Sequence, residues 1–250
     1  MKAQYVGDIG DLGKLLLLKH LAGLRLKIGV NWILTENDDR SDGKHRDYIR
    51  YGGRDCLCCC DEELYENMLP LAKKSKNDRR IDDLERVVRK QCGIDSFYSE
   101  LFNSVTSRKS SDDGAFAQLK PQVADLVFFD PDNGIDLQAG SSAKHVYLPE
   151  LKRYWHREQS LLVYHHLGRA GTHEVQIMNL TSALQREFPK STVNSYWLRR
   201  GTARAYFLIL QSKHCSTTAR QEAIPSLAPL QISKAGWAPN GKYCTKIHSK

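Results

Sequence analysis

The chain has 250 residues, 41% of them hydrophobic and 26% charged, with a formal net charge of +8. That length suits one large or two small domains with a substantial core, and the balance is that of an ordinary globular protein rather than a disordered or fibrous one. No run nears the roughly eighteen apolar residues of a membrane span and the opening Met1-Lys2-Ala3-Gln4-Tyr5 lacks a signal peptide's apolar stretch, so a cytoplasmic protein with no membrane partner is expected, and its basic charge points to a polyanion, nucleic acid first.

Residues 5–22 carry Gly7, Asp8, Gly10, Asp11, Gly13 and Lys14 ahead of a leucine-rich run. Asp8 or Asp11 is suited to cap a helix beginning near Leu12. The three glycines let the backbone approach a neighbour closely. Lys14 falls in the first helical turn, where a cation opposes the helix dipole. An anionic partner would explain that placement, and a solvated lysine is the plain alternative. The spacing matches neither familiar phosphate-cradling glycine loop.

Leu26 to Leu34 reads as a strand, with Val30, Trp32 and Leu34 alternating. The polar loop behind it contains His45 and Asp47, and His45 is a candidate for substrate contact. Cys56, Cys58, Cys59 and Cys60 follow among seven cysteines. An odd number without paired two-residue spacing argues against a disulfide framework and against a zinc site. Small buried residues before a helix are expected there. Residues 61–92 read as two helical pieces broken at Pro70, the second a densely charged, solvated face. Residues 103–115, rich in Ser and Asp, read as a surface loop.

The run Leu126-Val127-Phe128-Phe129 is short enough for a buried strand and too short for a helix. It stops at Asp130-Pro131-Asp132-Asn133-Gly134. Three carboxylate or amide groups are thereby delivered to a strand's carboxyl end, where open α/β sheets bind ligands. A surface turn would use the same residue types. A further loop covers 137–145, and Leu148–Glu158 reads as a helix. Ser160 to His166 is a second buried strand, ending in His165 and His166, with Arg169 just beyond. Side chains alternate along a strand, so only one of these histidines can face a shared site. Glu174–Glu187 reads as a helix. Val193–Leu198 and Arg204–Gln211 read as a hairpin around Gly201. Arg199, Arg200 and Arg204 form the densest guanidinium group, suited to phosphate oxygens. The Pro- and Gly-bearing tail ends in a basic segment. Strands alternating with helices, then a hairpin, predict a Rossmann-like α/β fold: a mainly parallel sheet with an antiparallel C-terminal hairpin. The expected organisation is one catalytic domain over 1–213, with a basic extension over 214–250 packed on it or trailing from it.

Two resemblances follow. Asp130-Pro131-Asp132-Asn133 resembles the Asp/Asn-Pro-Pro-aromatic motif of adenine-N6 methyltransferases of ribosomal RNA and DNA. The helix with Asp11, Lys14, Lys19 and His20 resembles the amino-terminal segment of one ribosomal-RNA branch. Against that family's pattern, Asp132 stands for the second proline and Asn133 for the stacking aromatic, and no glycine-rich loop for S-adenosylmethionine follows the first strand. The second resemblance covers most of the chain: the Gly-Asp helix start, Ser41-Asp42-Gly43-Lys44-His45, Asp130 to Gly134, Val163 to Leu167, and Arg199 to Ala205. In these the chain is similar to a group of bacterial phage-defence DNA glycosylases that excise glucosylated hydroxymethylcytosine.

The second resemblance implies hydrolysis of an N-glycosidic bond in phage DNA, with no cofactor, no metal and no obligate protein partner. Such chemistry needs a flipped nucleotide, a carboxylate that positions water and offsets oxocarbenium charge, and polar groups that read the base. Asp130 or Asp132 suits the carboxylate, Asn133 a pyrimidine edge, and His166 the departing base. Asp8, Asp11, Lys14, His45, His165, Arg169, Arg199, Arg200 and Arg204 are the expected substrate and nucleic-acid contacts. A cofactor-dependent methyltransferase is the alternative. A nuclease using Asp130 and Asp132 on a metal ion is a further one, and a non-catalytic nucleic-acid-binding protein the last.

Overall fold

In a computed structural model, residues 1–39, 61–102, 107–198, 203–215 and 244–249 are described. His45, Asp47, Cys56, Cys58, Cys59, Cys60, Arg199 and Arg200 lie outside them.

In chain order the helices are α1 (Ile9–Gly23), α2 (Glu62–Lys73), α3 (Ile81–Cys92), α4 (Arg108–Gln118), α5 (Leu148–His156) and α6 (His173–Glu187). The strands are β1 (Ile28–Asn31), β2 (Leu34–Thr35), β3 (Ser96–Tyr98), β4 (Leu101–Phe102), β5 (Leu126–Phe129), β6 (Gly134–Asp136), β7 (His145–Tyr147), β8 (Ser160–His166), β9 (Thr192–Leu198), β10 (Arg204–Leu210) and β11 (Cys244–Ser249).

Seven strands form one sheet in the order β11-β9-β10-β8-β5-β1-β3. β3, β1, β5 and β8 pair in parallel, and β10 enters antiparallel between β8 and β9. β9 therefore runs with β8, so five strands share one direction and only β10 and β11 oppose them. The expected Rossmann-like α/β sheet with its C-terminal hairpin is present. β5 and β10 are buried at every position because helices cover both faces. Ile28, Val30, Leu126, Phe128, Leu162, Tyr206 and Leu208 pack with α1, α2 and α3. Val127, Phe129, Leu161, Val163, Phe207 and Ile209 pack with α4, α5 and α6. Two short parallel pairs, β2 with β4 and β6 with β7, stand apart from the main sheet.

Several expectations are corrected. The strand read as Leu26–Leu34 is broken, because Ile33 takes a φ of 43° and turns the chain into β2. Pro70 does not split the helix: α2 runs through it, because Leu69, Leu71 and Ala72 remain buried. Pro70 and Glu66, whose carbonyl loses its helical partner, both lie on the exposed side. The charged stretch after it is not wholly a solvated face, since Arg79 is buried and donates to the Gln4 carbonyl. Residues 108–118 are helical rather than loop. Ser107 caps them through the Ser110 N–H, and Arg153 of α5 pairs with Asp112 and Asp113. Within the tail, β11 joins the sheet edge beside β9, one of the two arrangements expected of it.

Candidate functional site

The connection leaving β1 runs outward to β3 and the one leaving β5 runs the other way to β8, so the carboxyl ends of β1 and β5 flank the topological switch point. Ligands bind at that crevice in open α/β sheets. Leu126 and Phe128 face the α1 side while Val127 and Phe129 face away. Alternation therefore turns Asp130 toward α1. Its N–H donates to the Asn31 carbonyl, which carries the pairing one step past the strand.

Helix α1 begins at Asp8, whose carboxylate accepts from the Gly10 and Asp11 N–H groups. Gly7, at φ 85°, lies where a Cβ would sit 2.7 Å from the Leu71 carbonyl carbon. A Cβ on Gly10 would lie 1.2 Å from Arg204 Nη1. Two of the three amino-terminal glycines thus admit α2 and a guanidinium. Lys14 is buried and donates to Asp11 Oδ1 at 3.0 Å and to Asp130 Oδ2 at 2.5 Å. Its anionic partners are the protein's own carboxylates, and it is not solvated. Burial alone would lower its pKa, but Asp11 and then Asp130 outweigh that and raise it. Burial pushes Asp11 up to about 6 against the pull of Lys14. Arg204, buried at the start of β10, stands 3.9 Å from Asp8. It was expected to take phosphate, yet it is engaged within the protein at the cap of α1.

The Met1 α-ammonium lies in the same crevice. It donates to the carbonyls of Ile33 at 2.8 Å and Asp130 at 3.2 Å, and stands 3.1 Å from Asp132 Oδ1. Burial lowers its pKa, while Asp132 and Asp130 oppose that. Ile33 is a β-branched residue at positive φ, a strained conformation of the kind that collects at functional sites. Thr35 Oγ1 donates to Asp132 Oδ2 at 3.1 Å.

The formal charges of this cluster do not cancel. Asp8, Asp11, Asp130 and Asp132 supply four negatives, and Lys14, Arg204 and the Met1 α-ammonium supply three positives. Among the described residues one negative charge is left over at the sheet's carboxyl edge. Tyr164 and Tyr206 close the floor, with ring centroids 5.9 Å apart. Burial pushes the Tyr164 hydroxyl up to about 12, and the buried Tyr206 hydroxyl makes no hydrogen bond among the described residues.

The two histidines part as alternation requires. His166 pairs across the sheet with Arg204, on the Asp130 side, and is exposed. Burial, then Arg204 and His173, lower its pKa. His165 faces the other layer, where Nδ1 accepts from the Ile135 N–H at 3.0 Å. Burial, helped by His166 and His145, takes it down to about 4, so it is neutral. Its place is made by Gly134, at φ 120°, where a Cβ would meet His165 Nδ1 at 2.4 Å. Asn133 is exposed at the rim, with its backbone fixed on both sides: its N–H donates to Lys144 and its carbonyl accepts from His166. Its side-chain nitrogen is 3.4 Å from His145 Nε2. Arg169 is exposed in the loop before α6.

The expected residues Asp8, Asp11, Lys14, Asp130, Asp132 and Arg204 therefore converge, with Asn133 and His166 on the rim and His165 behind the sheet. Sequence reading missed Met1, Ile33, Thr35 and Tyr206. Only the position of Ile33 and Thr35, just past the end of a strand, offered a signal. Among the described residues no group of three His, Cys, Asp or Glu side chains is arranged to hold a metal ion, and no helix is long and apolar enough to cross a membrane. Comparison of the chain with protein-family models gave no match, and comparison with curated proteins gave none either.

Proposed function

We propose that this chain is a DNA N-glycosylase that hydrolyses the bond between deoxyribose and a modified cytosine, leaving an abasic site. The observation that carries the reading is the excess of negative over positive charge, counted among the described residues, in a largely buried cluster at the switch point. Breaking an N-glycosidic bond builds oxocarbenium charge on the sugar. A fixed negative excess in a water-poor crevice stabilises that charge and requires no reorganisation at the moment of reaction. Asn133, rigid in its backbone and exposed at the rim, offers both a donor and an acceptor to the edge of a flipped base. His166 stands on the same side as Asp130, suited to meet the departing base. The net charge of +8 suits the phosphate backbone. Glucosylated hydroxymethylcytosine in phage DNA is the substrate implied by the resemblance of the Asp130–Gly134 and Val163–Leu167 segments.

The strand order also suits a methyltransferase, but the residues at the switch point do not fit S-adenosylmethionine. No glycine occurs from Val30 to Asp39, Trp32 is wholly buried, and just past β1 the Met1 α-ammonium binds the Ile33 carbonyl while Lys2 bridges to Thr35. The test is incubation of the purified protein, without added cofactor, with DNA carrying plain, hydroxymethylated or glucosylated cytosine. Released base and abasic sites are measured. Release from the glucosylated substrate is expected. No release from any DNA, together with saturable calorimetric binding of S-adenosylmethionine, overturns the reading in favour of the methyltransferase.

A further inference from the structure

We infer that Lys144 and Arg169 grip DNA backbone phosphates on the two sides of Asn133 and His166, and that Gln176 holds the Arg169 loop in shape for that contact. The inference rests on the reading above for DNA as the partner and adds the surface that meets it.

Backbone hydrogen bonds set the rim in a row. The Asn133 N–H donates to the Lys144 carbonyl at 2.7 Å, and the His166 N–H donates to the Asn133 carbonyl at 2.9 Å. Lys144 and His166 therefore flank Asn133 at one strand spacing each, about 10 Å apart in all. β8 ends at His166, and the chain then runs out through Gly168, Arg169, Ala170 and Gly171, all exposed. Lys144, also exposed, thus stands at one end of the row and Arg169 beyond the other. Among the described residues neither the Lys144 ammonium nor the Arg169 guanidinium has an ion-pair or hydrogen-bond partner. Other exposed cations are already engaged, Lys213 by Glu158 and Arg86 by Asp83.

The charges favour phosphate at these two positions. The carboxylates behind the rim repel a phosphate, so a DNA strand that reaches Asn133 needs cations beside it. Lys144 and Arg169 supply them and have no internal partner to leave. His166 does not, since burial, then Arg204 and His173, lower its pKa and keep it neutral at pH 7. The Arg169 loop is tied by one side chain. Gln176 of α6 accepts the Gly168 N–H at 2.9 Å and donates to the carbonyls of Gly168 at 3.0 Å and Gly171 at 3.3 Å. A loop already held in shape loses less entropy when its arginine is immobilised on a partner. Gln176 is a positioning residue, because it acts through the loop that carries Arg169.

The experiment measures DNA affinity by fluorescence anisotropy between about 50 and 200 mM salt. The probe is a duplex carrying a tetrahydrofuran abasic analogue, which has no base to release. Lys144→Ala and Arg169→Ala should each reduce the slope of log affinity against log salt by about 0.9, the value of one duplex phosphate, and the double variant by about 1.8. Lys120, exposed between α4 and β5 on the amino side of the sheet, is the control, and Lys120→Ala should leave the slope unchanged. Gln176→Ala should weaken binding about two- to tenfold, the ordering cost of one long side chain, with the slope unchanged because Arg169 keeps its charge. Melting curves check the folding of every variant. A wild-type slope for Lys144→Ala or Arg169→Ala, or an equal loss in Lys120→Ala, overturns the grip, and wild-type affinity in Gln176→Ala overturns the brace. Base release from glucosylated DNA in the same preparations separates the two readings. If it occurs while the slopes stay at the wild-type value, the glycosylase reading stands and this surface falls. If the slopes fall as stated and no DNA releases base, the surface stands and the glycosylase reading falls.

Discussion

Asp130→Asn keeps the shape of the side chain and deletes its charge, leaving Lys14 buried with Asp11 as its remaining anionic partner. Removing one member of a buried ion pair costs about 3–5 kcal/mol, because the stranded charge can neither reach water nor find a substitute. Asp11 stays 3.0 Å from Lys14, so the lower end of that range, about 3 kcal/mol, applies here. For a chain of this size each kcal/mol moves Tm by roughly 2–4 °C, which predicts a fall of about 6–12 °C. Thermal melting at pH 7, checked by urea titration, measures it. A cycle with Lys14→Met separates the pair from its surroundings. The double variant should fall short of the sum of the single losses by about 1–3 kcal/mol, since the second change removes a charge already stranded. A fall in Tm of less than about 2 °C for Asp130→Asn, or strictly additive losses in the cycle, would refute the reasoning that Lys14 and Asp130 are a structural unit.

Other outcomes follow from the same geometry. Gly134→Ala combines a φ of 120° with a Cβ placed 2.6 Å from the His165 Cα. It should cost at least about 2 kcal/mol, read from the urea midpoint. A wild-type midpoint would mean that the turn is not built as described. His165, held near pKa 4 by burial, should show no imidazole titration by NMR between pH 8 and about 5.5. Because its folded value lies below the ordinary 6.5, the folded state binds fewer protons than the unfolded chain in between. Its contribution to stability is therefore complete above pH 6.5 and is lost as pH falls toward 4. Replacing Arg199 and Arg200 with Ala should weaken DNA binding for every sequence and reduce the slope of log affinity against log salt by about two. An unchanged slope would remove these arginines from the phosphate contacts.

Much of the fold was legible because the apolar runs are unambiguous. Leu126–Phe129 and Ser160–Val163 are too short for helices and too apolar for loops, and both are strands at the centre of the sheet. Residues 108–118 were not legible, because Ser and Asp are poor helix formers and what holds them is tertiary: the Ser107 cap and the pairing of Arg153 with Asp112 and Asp113. The continuity of α2 through Pro70 is likewise settled by the packing of Leu69 and Leu71 rather than by local preference. At the candidate site, alternation correctly separated His165 from His166. It could not give Asp130 and Asp132 their partners, because those are Lys14 and Thr35, each about a hundred residues away in the chain. Arg204 shows the same limit. Guanidinium chemistry alone suggests phosphate, but the strand order brings it against Gly10 and the cap of α1.

The bond between the cap of α1 and the first residue of β10 also sets a schedule. Asp8 is read early by the ribosome and Arg204 late, and β10 lies between β8 and β9 rather than at an edge. The cluster's charges cannot be assembled until nearly all of the chain up to β10 has been synthesised and inserted between its neighbours. Closing so long a span adds little free energy beyond closing a shorter one, since each doubling costs only about 0.6 kcal/mol. It nevertheless makes the assembly non-local and slow. A nascent or prematurely terminated chain would carry Asp8, Asp11, Lys14, Asp130 and Asp132 without the guanidinium that completes the set.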